Sequence, residues 1–338
     1  MFGNIKQLFI LIIFLMPASC TSIFEDMPRC ELWLKFVFDH NMEYADSFSP
    51  QVKSVDVFVF DSNDKLLFTK RTEAAGLVDG NRMPLADNLA YGKYKVLTIG
   101  GLSDNFRVSD YLGQDVVPGV TTLQQFMFAL ERRSDEVNFE FPHLYLGEAL
   151  EIDYSPENAD HKVYQVNLMR ITNRFNMMLV SLNGAAPATE IPPYTFEIVT
   201  PESGTYSWEN EPLDVTHPVT YSPYYLNKGE TSDILVSAHL NTLRLLNREG
   251  LDYKIVVRDT KTLNEVWSYN LLTLLLYTKP INRHDGTALP FQEYLDREGE
   301  WNLIFCVTEK DPGSGNAFLS IGLQVADWIY WLHDIEIE

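Results

Sequence analysis

The chain is 338 residues long, 46% hydrophobic and 22% charged, which excludes a disordered protein and predicts about two domains at roughly 150 residues each. Lys plus Arg number 26 against 47 Asp plus Glu, a formal charge of -21 that a nucleic-acid backbone would repel, so nucleic acid is excluded as a partner. With 20 Phe, 17 Tyr and 6 Trp, the composition favours a strand-rich globular protein.

Lys6 precedes the apolar run Leu8 to Met16, too short to span a bilayer and of the length of a signal-peptide core. Pro17-Ala18-Ser19-Cys20 follows, and small residues before a cysteine suit a lipoprotein signal peptidase, which would remove residues 1–19 and leave Cys20 to be acylated. Cleavage by the general signal peptidase near Ala18 or Ser19 is the alternative, and both routes export the protein. With Cys20 lipidated, Cys30 and Cys306 form an even pair that an oxidising compartment would allow to bridge. Equally, Cys306 in the apolar run Leu303 to Val307 reads as a small buried hydrophobe.

Beyond the leader the dominant hydrophobic period is two. Strands are predicted at 32–38, 55–60, 65–69, 91–99, 144–152 and 162–169, with Asp61-Ser62-Asn63-Asp64 as a hairpin turn. Leu123, Phe126, Met127 and Leu130 have helical spacing behind Thr121-Thr122, and predict one short helix. In the second half, strands are predicted at 175–182, 194–199, 234–246, 253–259, 266–267, 301–307 and 317–335, with helical insertions at 271–277 and 290–297. The hairpin grammar of Val55, Val57, Val59 and Asp61 returns at Tyr253, Ile255, Val257 and Asp259, a weak internal repeat. The class is all-β, two sandwiches in tandem, divided into a linker 20–30, a first domain 31–170 and a second 171–338.

Motifs for catalysis are missing. No G-x-S-x-G elbow, H-E-x-x-H helix, phosphate loop or dinucleotide pattern occurs, no metal or cofactor site is expected, and the seven histidines are scattered. Asp61, Asn63 and Asp64 lack the glycine and glutamate of a calcium loop, and Gly313-Ser314-Gly315 reads as a hairpin loop. A glycosidase carboxylate pair is set by space and escapes inspection of a sequence. Tyr221, Tyr224 and Tyr225, and Trp328, Tyr330 and Trp331, are candidate sugar or protein platforms; for the second group, core packing is the favoured reading.

Residues 30–48 (CELWLKFVFDHNMEYADSF), running into Val52 to Asp61, resemble the start of the fimbrial anchor and minor-subunit lipoproteins of Bacteroides-type (type V) fimbriae. The blocks Asn41 to Asp46, Val57 to Asp61 and Gly92-Lys93-Tyr94 leading to Gly100-Gly101-Leu102 carry the likeness, with Cys20 at the lipidation position; Trp301 to Cys306 and Ala317 to Trp331 resemble the final strands. Pro17 and the aromatic Trp328 to His333 segment depart from the pattern. The resemblance implies two transthyretin-like β-sandwiches with short helical insertions, held on the outer membrane by lipid, non-enzymatic, and joined to fimbrial subunits by β-strand addition. An accessory or tip adhesin, or a surface glycan-binding lipoprotein, are the alternatives. The resemblance also implies that polymerising subunits are cut after a leader arginine; here Arg29 stands nine positions after Cys20, and cutting there would sever lipid from fold, so the site is expected to be protected or unused.

Overall fold

A computed structural model describes residues 32–85, 89–155, 162–184, 190–229, 231, 233–310 and 318–332. The leader, Cys20, Arg29, Cys30 and the Gly313–Gly315 loop lie outside these residues. The first half supplies β1 (Leu32–His40), α1 (Phe48–Gln51), β2 (Ser54–Phe60), β3 (Leu66–Glu73), β4 (Arg82–Pro84), β5 (Gly92–Gly100), β6 (Phe106–Ser109), β7 (Met127–Leu130), β8 (Glu136–Val137), β9 (Tyr145–Tyr154) and β10 (Lys162–Arg170). The second supplies β11 (Thr172–Ser181), β12 (Tyr194–Thr200), β13 (Thr205–Ser207), β14 (Val219–Tyr221), β15 (Tyr225–Asn227), β16 (Ile234–Leu243), β17 (Lys254–Asp259), β18 (Glu265–Asn270), α2 (Leu271–Thr278), α3 (Phe291–Arg297), β19 (Glu300–Glu309), β20 (Phe318–Val325) and β21 (Trp328–Trp331). The fold is all-β with short helical insertions.

Seven first-half strands form one sheet in the order β3-β2-β5-β9-β10-β1-β4, with β1 parallel to β10 and every other pair antiparallel. Its central strands are apolar on both faces. Along β2, Val55, Val57 and Val59 enter a core with Leu34, Phe36, Phe38, Phe48 and Leu168, whereas Phe58 and Phe60 enter a second core with Leu97, Ile99 and Leu146. Strands buried on both sides read as continuous hydrophobic runs, which accounts for the near-unbroken burial of SVDVFVF.

The second face must be covered, and the segment between β5 and β9 covers it. Phe126 sits edge-on to Phe58 at 4.8 Å and to Phe60 at 6.1 Å, and Phe106 packs on Phe141 at 5.6 Å. This corrects the expected helix at 123–130. Gln125 Oε1 does accept from the Thr122 N–H at 3.0 Å, so a capped turn begins there, but it is a single 3-10 turn, Leu123–Gln125. Phe126, Phe128 and Leu130 also satisfy a period of two, and in the extended form all three are buried. The strand wins because β6 and β13 flank β7 and satisfy its backbone.

The second half is a two-sheet sandwich. A six-stranded sheet β15-β16-β11-β19-β20-β21 faces a five-stranded sheet β18-β17-β12-β14-β8, and Phe305 meets Phe196 at 5.8 Å and Trp267 at 5.7 Å between them. Residues 317–335, expected as one strand, are broken into β20 and β21 by a turn in which Ala326 takes φ 51°. The two hairpins of the internal repeat share a turn chemistry. Asp61 Oδ1 accepts from the N–H groups of Asn63 and Lys65, and Asp259 Oδ1 from those of Lys261 and Thr262. Each loop then places one residue in the left-handed region, Asp64 at φ 60° and Leu263 at φ 60°.

Two stability changes are expected. Phe126→Ala should lower the unfolding free energy by about 3–5 kcal/mol, because it empties the joint between the first-half sheet and its cover. Leu263 is 67% exposed and buries little, so Leu263→Asn should raise stability by about 0.5–1 kcal/mol by relieving the left-handed backbone. Denaturant unfolding measures both.

Candidate functional site

Three features have the geometry of working parts: a seam between the halves, a buried carboxyl cage beside it, and the edges of the six-stranded sheet. The seam is main-chain as well as side-chain. β7 pairs antiparallel with β13, and β8 pairs parallel with β14, so second-half β13 joins the first-half β6–β7 sheet and first-half β8 joins the five-stranded sheet of the second half. Leu130 N–H donates to Gly204 O at 3.1 Å and Ser222 N–H to Val137 O at 2.8 Å. Gly204 sits at φ 81°, with Leu243 Cδ1 only 3.3 Å from where a Cβ would project.

Across the other side of the seam, Arg297 of α3 donates to the carbonyls of Asp39 and Asn41, each at 3.2 Å, and its guanidinium lies 4.3 Å over the Tyr44 ring. Glu293 orients it at 2.8 Å and also pairs with Arg283; these two hydrogen bonds hold the Glu293 carboxyl at about 2. Nearby, His143 bridges Thr172 Oγ1 at 3.1 Å and Glu300 at 2.7 Å, and the buried Arg170 guanidinium packs against Gly299 and faces Glu300 at 3.5 Å. A cleft of about 870 Å³ opens along this seam, with Trp208, Gln165, Asn167 and Glu148 on its walls and the Arg244–Asp296 pair, bidentate at 2.7 and 2.9 Å, inside it. His40 lines it too, and burial together with Arg297 pushes the His40 pKa down.

Glu202 is 2% exposed in a cage of fully buried tyrosines, Tyr206, Tyr221 and Tyr253. The Tyr253 hydroxyl donates to Glu202 Oε1 at 2.7 Å, while Oε2 has no hydrogen-bond partner. Burial raises the carboxyl to about 7, against which the Tyr253 hydrogen bond works only partly. Tyr206 also stacks on Phe128 of β7 at 5.5 Å, which ties the cage to the seam.

The open edges of the six-stranded sheet are β15 and β21. At β15, Tyr225 and Tyr224 pack around the His239 ring at 4.7 and 6.2 Å, but Tyr221 belongs to the cage, so the expected Tyr221, Tyr224 and Tyr225 platform is divided between surface and core. At β21 the core expectation for Trp328, Tyr330 and Trp331 is overturned: they are 75%, 44% and 43% exposed. The physical reason is position, since among the described residues β21 is the outermost strand of its sheet, with Tyr277 of α2 stacked on Tyr330 at 5.4 Å.

Among the described residues no cluster of three or more metal-ligating side chains occurs. Cys306 lies buried on β19 with Sγ 3.8 Å from Gln324; Cys30 lies outside the described residues, so the proposed bridge has only one of its ends in view. Cys20 likewise lies outside them. The edge ridge was visible in the sequence as an aromatic cluster, whereas Glu202 carried no sequence signal, being one of 47 acidic residues.

The cage gives a pH prediction. With the folded carboxyl raised to about 7 above an ordinary 4.5, its proton stabilises the fold fully below about pH 4.5, and that contribution is lost as pH rises through 7. Glu202→Gln should therefore match the wild type near pH 4.5 and exceed it by about 2–3 kcal/mol at pH 8, measured by denaturant unfolding at both values.

Among proteins of curated function none matches the chain. Three solved structures are similar over nearly their whole lengths. A candidate adhesin from Bacteroides ovatus is 60% identical with a TM-score of 0.86, covering 94% of this chain and 100% of that one. A candidate polysaccharide-binding protein from Bacteroides thetaiotaomicron is 25% identical with a TM-score of 0.70, over 90% and 99% of the two chains. The fimbrial anchor protein Mfa2 from Porphyromonas gingivalis shares the fold at 16% identity, with a TM-score of 0.62 over 89% and 98%. The profile of the fimbrillin-A associated anchor proteins Mfa1 and Mfa2 matches residues 27–334. With that match across almost the entire folded region, the chain belongs to the fimbrillin-A associated anchor protein family.

Proposed function

We propose that the protein is a non-enzymatic, lipid-tethered anchor of a surface fimbria, fixed to the outer membrane through Cys20 and joined to fimbrial subunits by β-strand addition. Cys20 carries this reading: it follows a signal-peptide core and two small residues, and only the eleven residues 21–31 separate it from β1. Fully extended, that linker reaches about 40 Å at most, so the folded body stays close to the bilayer surface. Acylation contributes about 0.8 kcal/mol per buried methylene, and several chains hold a protein of charge -21 on an envelope that electrostatics alone would not. A filament anchor also needs its two halves to transmit load without parting, and the strand exchange of β7 and β8 with β13 and β14 suits that requirement.

An adhesin role is the second reading. The Bacteroides ovatus protein is described as a candidate adhesin and the Bacteroides thetaiotaomicron protein as a candidate polysaccharide binder, and the seam cleft has the makings of a glycan site, with Trp208 beside the polar Gln165 and Asn167.

Cys20→Ala expressed beside the wild type separates these. The anchor reading expects the variant in the soluble fraction and filaments shed into the medium. A variant that still fractionates with membrane, with filaments retained on cells, would sink it.

A further inference from the structure

The sheet edges are not equally protected. β3 carries Lys70, Arg71 and Glu73 along its length, β4 is three residues long and ends at Pro84, and β8 has two residues. Charge, proline and brevity are the usual devices that stop one edge strand from pairing with another. β21 is also short, at four residues, but it has neither charge nor proline between Trp328 and Trp331, and it leaves large aromatic surface in water.

Its main chain is available in a defined pattern. The Leu332 N–H donates to Ile321 O at 3.0 Å, so Leu332 faces β20. Antiparallel alternation then turns Tyr330 and Trp328 toward β20 as well, and points the N–H and C=O groups of Ile329 and Trp331 away from it. Among the described residues no strand occupies that side. Trp328 and Tyr330 share a face with Leu323 and Val325; Tyr330 stacks on Tyr277 of α2, and Leu276 on the same helix is 48% exposed.

We propose that the β21 edge is the acceptor for an extended segment of another fimbrial subunit, one that alternates apolar residues and carries Lys or Arg at its flanks. This rests on the anchor reading above and names the surface it uses. Two outward main-chain pairs separated by one residue match the spacing of a second strand, which a sugar cannot supply. The flanking charge selects the partner: Asp327 stands at the turn into the ridge, and the whole chain is at -21. A second copy of this chain would bring the same carboxylates against each other, whereas a basic-flanked segment would neutralise them.

The test is co-sedimentation of the purified mature chain, residues 20–338, with fimbrial filaments sheared from the same cells. Ile329→Pro removes an outward N–H without touching the bonds to β20, and Trp328→Ser strips the ridge of its most exposed ring without changing its charge. Each is expected to weaken binding by at least about tenfold with the unfolding midpoint within about 3 °C of wild type, while Thr69→Pro on the β3 edge binds as wild type. A photocrosslinker at position 328 should yield an adduct with a filament subunit. If Ile329→Pro and Trp328→Ser both bind like wild type, the edge assignment is wrong and anchoring stands. If the wild type fails to bind filaments, both fall. An adduct of twice the chain's own mass would overturn the proposal in favour of self-pairing.

Discussion

The structure depends on one constraint: the central strands of the first-half sheet are hydrophobic on both faces. A sheet of this kind cannot stand with one face in water, since each of Phe58, Phe60, Leu97 and Ile99 would forfeit roughly 2 kcal/mol of burial. The intervening segment from β6 to β8 therefore folds across it. Having done so, that segment has edges and aromatic faces of its own to satisfy, and it finds them in β13, β14 and Tyr206. The outcome is a hydrophobic core that runs without interruption from Phe58 to Leu332, alongside a smaller core enclosed by β1, β4 and α1.

This arrangement makes the two halves mechanically dependent. Separating them would break two strand pairings, unstack Phe128 from Tyr206, and strip Arg297 from the carbonyls it caps. The charged groups at the seam are paired, Arg244 with Asp296 and Arg297 with Glu293, which matters because a buried charge left alone costs several kcal/mol. Several buried polar atoms there lack a hydrogen-bond partner, among them His40 Nε2, Arg170 Nε, both amide atoms of Asn210 and one Glu202 oxygen, and for Glu202 a raised affinity for a proton is the physical answer to that deficit.

The surface divides along similar lines. The chain carries a formal charge of -21, so its solvated surface is strongly acidic. Against that background the aromatic edge at β21 is exceptional. Exposed Trp on an unprotected strand is a liability in a solitary protein and an asset in one built to be joined to others, as members of a fimbrial family are.

Period-two alternation located most of the long strands, and the Asp61 and Asp259 turns repeated the same local chemistry because a carboxylate bonding the next N–H groups acts within five residues. The family was legible as well, since its residue blocks lie in the first hundred positions and need no fold to be seen. What the sequence could not decide was which of two compatible periods residues 123–130 would adopt, because the deciding partners, β6 and β13, lie on either side at a distance in the chain. Nor could it place Glu202 in a cage or Trp328 in water. Burial depends on what stands opposite, and for a strand at the end of its sheet nothing opposite exists until the whole sheet order is known.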